Sequence, residues 1–213
     1  MKFKGERNKM AGNEDVGLTA VSFVSDILSA AQLPGSSVLQ RAVEKAYERR
    51  KQAAINGLLD AIAVVGQENV QFGTEEADEL VQMMLRYVKA ASEGAARQNL
   101  KLLALVIFGL KSNKTLVFDK FQECANVLED MTRDEILFLG KFYKYLESGE
   151  NENRLVQYLN TIDSTEAKRE TEMIAASLQR HGLLIPISVF SSTDYIATSK
   201  FFNICKLASI EKV

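Results

Sequence analysis

Apolar residues recur along most of this chain at the three- and four-residue spacing of helices. The densest run, Glu93 to Leu110 (EGAARQNLKLLALVIFGL), predicts a central helix that is apolar on nearly every side. Ala95, Ala96, Leu100, Leu102, Leu103, Val106, Ile107 and Leu110 share one broad face, and Leu105 and Phe108 carry apolar surface round to the other. Such a helix has to be enclosed. Leu102 to Leu110 is about half of the ~20 residues needed to cross a bilayer, so protein and not lipid is expected around it. Asn99 falls in the middle of the apolar face. An unpaired buried amide costs about 1 to 3 kcal/mol, so Asn99 is expected to bond a backbone carbonyl, a facing side chain or its symmetry mate.

Upstream, Met1 to about Asn13 is polar and basic and reads as a flexible tail. Val16 to Gln32 carries Ala20, Val21, Val24, Ile27, Leu28 and Ala31 at helical spacing opposite an almost uncharged polar face. This predicts a helix that packs on other helices, where a membrane-surface helix would show lysine or arginine. Leu33 to Ser36 makes a turn, and Ser36 or Ser37 can cap the next helix. That helix is long. Its stripe is Leu39, Ala42, Val43, Ala46, Arg50, Ala53, Gly57, Leu58, Ala61, Ile62 and Val65, with Gly66 as its stop. Arg49, Arg50 and Lys51 read as a solvated face among Glu44 and Glu48. After a loop at Gly73, Thr74 is a candidate N-cap, and Glu75, Glu76, Asp78 and Glu79 complement the helix dipole. The stripe Leu80, Met83, Met84, Tyr87, Val88 and Ala91 leads to a kink or break at Ser92 to Gly94. Gly94, Ala95 and Ala96 are small enough to admit a second helix closely, which makes them, with Asn99, candidate interface residues.

Lys111 to Thr115 reads as a connection between two halves. Phe118 to Glu129 is helical, with Phe121, Cys124, Ala125 and Leu128 on one side. Thr132 and Glu135 form a capping box before Ile136, Leu137, Leu139, Phe142, Tyr143 and Leu146. A polar loop, Ser148 to Asn153, and a short segment, Arg154 to Asn160, lead to a helix over Ser164 to His181. That helix carries Met173, Ile174, Ala176, Ser177 and Leu178, and Gly182 ends it. The pattern then turns β-branched: Leu183 to Phe190 as a strand, Ser191 to Asp194 as a turn, Tyr195 to Thr198 as a returning strand. A last helix, Ser199 to Ile210, is expected to bury Phe202, Ile204, Cys205 and Leu207. Helices followed by a hairpin give the order of a winged-helix domain, with Ser164 to His181 in the recognition position.

The expected architecture is therefore mostly α: a tail over residues 1–13, a region of long helices over 14–112, and a winged-helix-like α+β region with one small hairpin over 113–213. Composition agrees, since only two prolines and no tryptophan occur, and the net charge of −2 suits a soluble helical protein. Cys124 and Cys205 have no metal-ligand spacing and read as buried reduced thiols, which points to the cytoplasm. Lys2, Lys4, Arg7 and Lys9 precede an apolar run, but Glu14, Asp15 and Asp26 are unlike a secretory signal. Stable membrane insertion is not expected.

At EGAARQNLKLLA, Glu93 to Ala104, the chain resembles a set of uncharacterised bacterial helical proteins. The likeness continues through Phe118 to Leu139 and fades before residue 70. HGLL followed by DYIATSKFFNIC resembles the end of the abortive-infection alpha family, where a helix leads through a short hairpin to a closing helix. That resemblance implies a link to phage defence and brings no catalytic residue.

The sequence contains no phosphate-cradling glycine loop, nucleophile elbow, paired-histidine helix or dinucleotide fingerprint. His181 is the only histidine, which excludes a multi-histidine metal site, and its place at a helix C-terminus suggests an interaction with the carbonyl end. No cofactor and no enzymatic activity are expected. For nucleic acid, Lys168, Arg169 and Arg180 are the candidate contacts, but Glu166, Glu170 and Glu172 are interleaved. Lys114 to Val213 holds 12 basic and 15 acidic side chains, where phosphate neutralisation calls for a basic face. The reading favoured is a non-enzymatic protein acting through protein contacts and self-association. The alternative is a winged-helix DNA-binding regulator.

Overall fold

The computed structural model describes residues 18–19, 38–66, 71–149, 153–189 and 192–212. The elements are β1 (Leu18–Thr19), α1 (Val38–Val65), β2 (Gln71–Phe72), α2 (Ala77–Glu93), α3 (Arg97–Ser112), α4 (Phe118–Leu128), α5 (Arg133–Glu147), α6 (Leu155–Leu159), α7 (Thr165–Leu178), β3 (Leu184–Val189), β4 (Ser192–Ala197) and α8 (Ser199–Leu207). Short 3₁₀ turns occupy Thr74–Glu76, Gln179–His181 and Ile210–Lys212. The chain is mostly α, with a small antiparallel hairpin near its C-terminus. Among the described residues no helix is long and apolar enough to cross a membrane.

Helix α3 is the centre. Every residue from Leu102 to Phe108 is buried, as an all-round apolar helix requires. It packs on α1, α2, α4 and α8, and the buried apolar residues of all these helices form one continuous core. The helix begins at Arg97, not at Glu93 as its sequence suggests. Gly94 adopts φ 100°, a left-handed conformation that few other residues tolerate, and ends α2 there. The Gly94 and Ala95 N–H groups donate to Ala91 O and Ala90 O, satisfying the last carbonyls of α2.

Two glycines set how closely helices approach α3. A Cβ on Gly57 would lie 2.9 Å from Leu100 Cβ and 3.0 Å from Tyr87 Oη, so α1 lies almost in contact with α3. Tyr87, fully buried, donates to Ala54 O at 2.6 Å and so joins α2 to α1. A Cβ on Gly109 would lie 2.5 Å from Leu207 O, which places α8 against the far end of α3. Among the described side chains of α1, Ala54, Gly57, Leu58 and Ala61 are buried, while Ala46 and Arg50 from the expected stripe are exposed; Leu39, Ala42 and Val43 of that stripe lie outside the described side chains. The predicted stop at Gly66 is met at φ 86°.

The predicted tail, the turn at Leu33 to Ser36, its Ser36 or Ser37 cap, and most of the helix expected over Val16 to Gln32 lie outside the described residues. Leu18 and Thr19 are an exception and a correction: they form a strand paired with Phe72 and Gln71. Phe72 is buried against Phe108, with Lys111 over its ring at 4.2 Å, so a strand seated on the core takes these backbone groups in place of helical bonds. Thr74 does not cap α2. The chain enters that helix through the 3₁₀ turn, with Glu76 at the N-cap position.

In the C-terminal half, α5 packs against α7, α8 and the closing turn Ile210–Lys212. Phe138, Phe142, Tyr143, Tyr158, Phe201 and Phe202 form a connected set of ring contacts between α5, α6 and α8. On α8, Phe201 and Cys205 are fully buried and Ile204 nearly so, whereas Phe202 and Leu207, both expected inside, are only partly buried, and Leu137 on α5 faces outward. The hairpin runs in register from Leu184↔Ala197 to Val189↔Ser192. Ser192 to Asp194, expected in the turn, belong to β4. Arg154 adds an isolated bridge to Ile196, so the order is α5, bridge, α6, α7, β3, β4.

Candidate functional site

The predicted interface residues divide. Asn99 is buried to 4% exposure, and its amide donates to Leu128 O at 2.6 Å, Met131 O at 2.9 Å and Glu129 O at 3.3 Å. These carbonyls lie at and just beyond the C-terminus of α4, where helical partners run out, so Asn99 acts as an internal clamp from α3. Gly94 and Ala96 are exposed and Ala95 is partly buried. Gly94 and Ala95 border a small cleft of about 240 Å³ with Glu93, Glu129 and Asp130. At the other end of α4, Glu79 of α2 accepts from the Phe118 N–H at 2.5 Å, and α4 has no side-chain cap of its own.

The connection between α4 and α5 leads to a second polar cluster. Thr132 and Glu135 form the predicted capping box, with Glu135 N donating to Thr132 Oγ1 and Thr132 N donating to Glu135 Oε2 at 2.8 Å. Glu135 does more than cap. At 2% exposure it also accepts from Ser177 Oγ on α7 at 2.5 Å and from Arg180 Nη2 at 3.0 Å. Burial alone would raise this carboxyl. The hydrogen bonds from Ser177 and Thr132 and the Arg180 charge outweigh burial and hold it below the ordinary glutamate value.

His181 follows from the same cluster. Burial and the neighbouring Arg180 charge lower its pKa, and its Nε2 accepts from Arg180 Nε at 2.9 Å. Its ring therefore does not supply the positive charge expected at the end of α7. Lys200 of α8 supplies it instead, donating to His181 O at 3.0 Å. The hairpin is fixed beside this turn by Asp194, buried on β4, which accepts from Arg154 Nε at 2.8 Å, Val156 N at 3.0 Å and Tyr195 N at 2.8 Å.

These supports hold α7 with one face outward. Ala175 and Leu178 are buried, whereas Glu166, Arg169, Glu170, Met173 and Ala176 form the outer stripe. Met173, expected on the packing face, is 73% exposed, and Ile185 on β3 is 55% exposed. The three candidate nucleic-acid contacts differ in exposure and in partners. Arg169 is exposed, Lys168 is half-buried, and Arg180 is bound to Glu135 and His181.

Glu135, Ser177 and Asp194 are the positions that sequence reasoning missed as a positioning set. The capping-box spacing marked Glu135 locally, but no local signal points from it to Ser177, 42 residues on. Cys124 and Cys205 are both buried free thiols. Among the described residues, no group of three or more His, Cys, Asp or Glu side chains is placed to hold a metal ion. No family model matches the chain, and no curated protein or solved structure does so either.

Proposed function

We propose that the chain is a non-enzymatic cytoplasmic protein that acts through protein contacts and self-association. The observation that carries this reading is Met173, 73% exposed on the outer stripe of α7 between acidic neighbours. A large apolar side chain held outward on a rigidly supported helix suits a protein partner. Three glutamates on the same helix oppose phosphate. The likeness of the C-terminal segment to the abortive-infection alpha family supports a place in phage defence.

Light scattering after size exclusion at tens of micromolar tests the reading. The expected result is a dimer or larger species that Met173→Glu with Ile185→Glu shifts toward monomer, and a strict monomer for the unaltered chain overturns self-association. A second reading, a winged-helix DNA-binding regulator, is supported by the order α5, bridge, α6, α7, β3, β4, with α7 just before the hairpin, in the place of a recognition helix. A gel shift on genomic fragments at low salt decides it, because DNA binding there should be weakened by Lys168→Ala with Arg169→Ala.

A further inference from the structure

Helices α4 and α8 both pack on α3, and between them lies an open groove of about 730 Å³. That volume is within the range of small-molecule sites. The close approach at Gly109 sets α8, and the clamps at both ends of α4 set the other wall. Both walls are therefore fixed before any ligand arrives.

The groove is lined by Lys120 from α4 and by Lys200 and Lys206 from α8, against one carboxylate, Glu123. None of the three lysines makes a salt bridge among the described residues. The chain as a whole has a net charge of −2, so three ammonium groups with no carboxylate partner among the described residues, one of them also bonded to a backbone carbonyl, are a local reversal of sign round one concavity. Walls of low dielectric focus such a field on an entering anion. The floor is apolar, with Leu110 and Ile204 buried beneath and Leu207 partly exposed. Asn113 and Asn203 offer amide donors and acceptors to the groove, and Asn126, whose Oδ1 accepts from Arg86 at 3.3 Å, offers its amide N–H groups. Cys124 also lines it, but burial, aided by the Glu123 charge, pushes its thiol up to about 11. It is therefore a neutral S–H and not a nucleophile.

We propose that this groove binds a small organic polyanion, a phosphate- or carboxylate-bearing molecule with an apolar body. The lysines hold the anionic groups, the asparagines fix orientation, and the apolar floor takes the remainder. Lys200 already holds the carbonyl of His181, so an anion drawing on Lys200 reaches the turn between α7 and the hairpin. The proposal is independent of the reading given for α7, and no outcome of the oligomer measurement bears on it.

Calorimetric titration of the full chain with ATP, citrate and pyrophosphate at low salt tests it. ATP carries charge with an apolar base, citrate carries carboxylates, and pyrophosphate carries charge alone. The expected result is that ATP or citrate binds with a Kd below about 1 mM. Lys120→Glu with Lys206→Glu, both at exposed positions and checked for a retained cooperative melt, should weaken that binding about tenfold or more, a loss of ~1.4 kcal/mol. The control Lys141→Glu with Lys144→Glu, on α5, should leave it unchanged. Binding of neither ATP nor citrate at about 5 mM, some five times the expected limit, overturns the proposal, whether or not pyrophosphate binds. So does binding that the groove variant leaves intact, or that the α5 control weakens equally.

Discussion

Glu79 and Asn99, on neighbouring helices, close opposite ends of the same third helix. Glu79 accepts the Phe118 N–H at 2.5 Å and Asn99 donates to Leu128 O at 2.6 Å, so α4 is capped from outside at both termini. Replacing Asn99 with leucine keeps the branched skeleton, adds the bulk of two methyl groups and strands several buried carbonyls, at an expected cost of about 2 to 4 kcal/mol. Glu79→Gln retains an acceptor but loses its charge and should cost about 1 kcal/mol. The two sites share no partner, so in urea unfolding the double variant should equal the sum within about 0.5 kcal/mol. A marked departure would show that α4 frays as one unit.

Glu135 should make stability depend on acid in a defined direction. Its folded pKa lies below the ordinary value of 4.5. Its contribution is therefore fully present above that value and is lost as pH falls through the folded one. Glu135→Gln removes the charge that receives Arg180, Ser177 and Thr132, at an expected cost of about 2 to 3 kcal/mol at pH 7. Denaturation curves of the variant and the unaltered chain should converge in acid. A gap that stays constant from neutral pH into acid would mean that packing, not ionisation, explains the loss.

What could be read along the chain and what could not separates by range. The enclosure of Leu102 to Phe108, the Thr132–Glu135 box, the hairpin and the stops at Gly66 and Gly182 all depend on neighbours within a few residues, and the sequence pattern shows them. Gly94 was visible as a break, but the choice between kink and stop rests on its left-handed φ. Leu18 and Thr19 misled because their strand partners lie more than fifty residues away at Gln71 and Phe72. Met173 misled for a related reason: α7 buries little more than Ala175 and Leu178, so a narrow packing face left its larger apolar residue outside. The groove lysines had no mark at all, since Lys120 and Lys206 become neighbours of one cavity only through α3.

Glu129 should respond to acid in the opposite sense to Glu135. Burial raises its pKa, and Glu93 and Asp130 add to this, while Arg86, paired with it at 2.7 Å, offsets only part. Its Oε1 is buried without a hydrogen-bond partner among the described residues. The folded state thus takes up a proton at higher pH than the unfolded state does, and stability rises as pH falls from the folded value toward 4.5. Glu129→Gln should change stability at pH 7 by less than about 1 kcal/mol, because losing the pair offsets relief from burying a charge. The unaltered chain should then gain on the variant as the solution is acidified. A cost of about 3 kcal/mol at neutral pH would show that the ion pair dominates.

The approach of α8 to α3 can be tested at Gly109. A methyl group there would sit 2.5 Å from Leu207 O, a backbone atom that cannot swing aside as a side chain does. Gly109→Ala gains about 0.5 to 1 kcal/mol of helix propensity, so any net loss measures the clash. The expected net cost is about 1 to 3 kcal/mol. Because α8 supplies two of the groove lysines, the shift should also weaken ATP or citrate binding without altering any lysine. Gly149→Ala is a useful contrast, since that glycine has open space but φ 88°; it should lower stability and leave the groove unchanged. If Gly109→Ala melts at or above the unaltered chain and binds equally well, α8 does not rest on α3 as closely as the geometry requires.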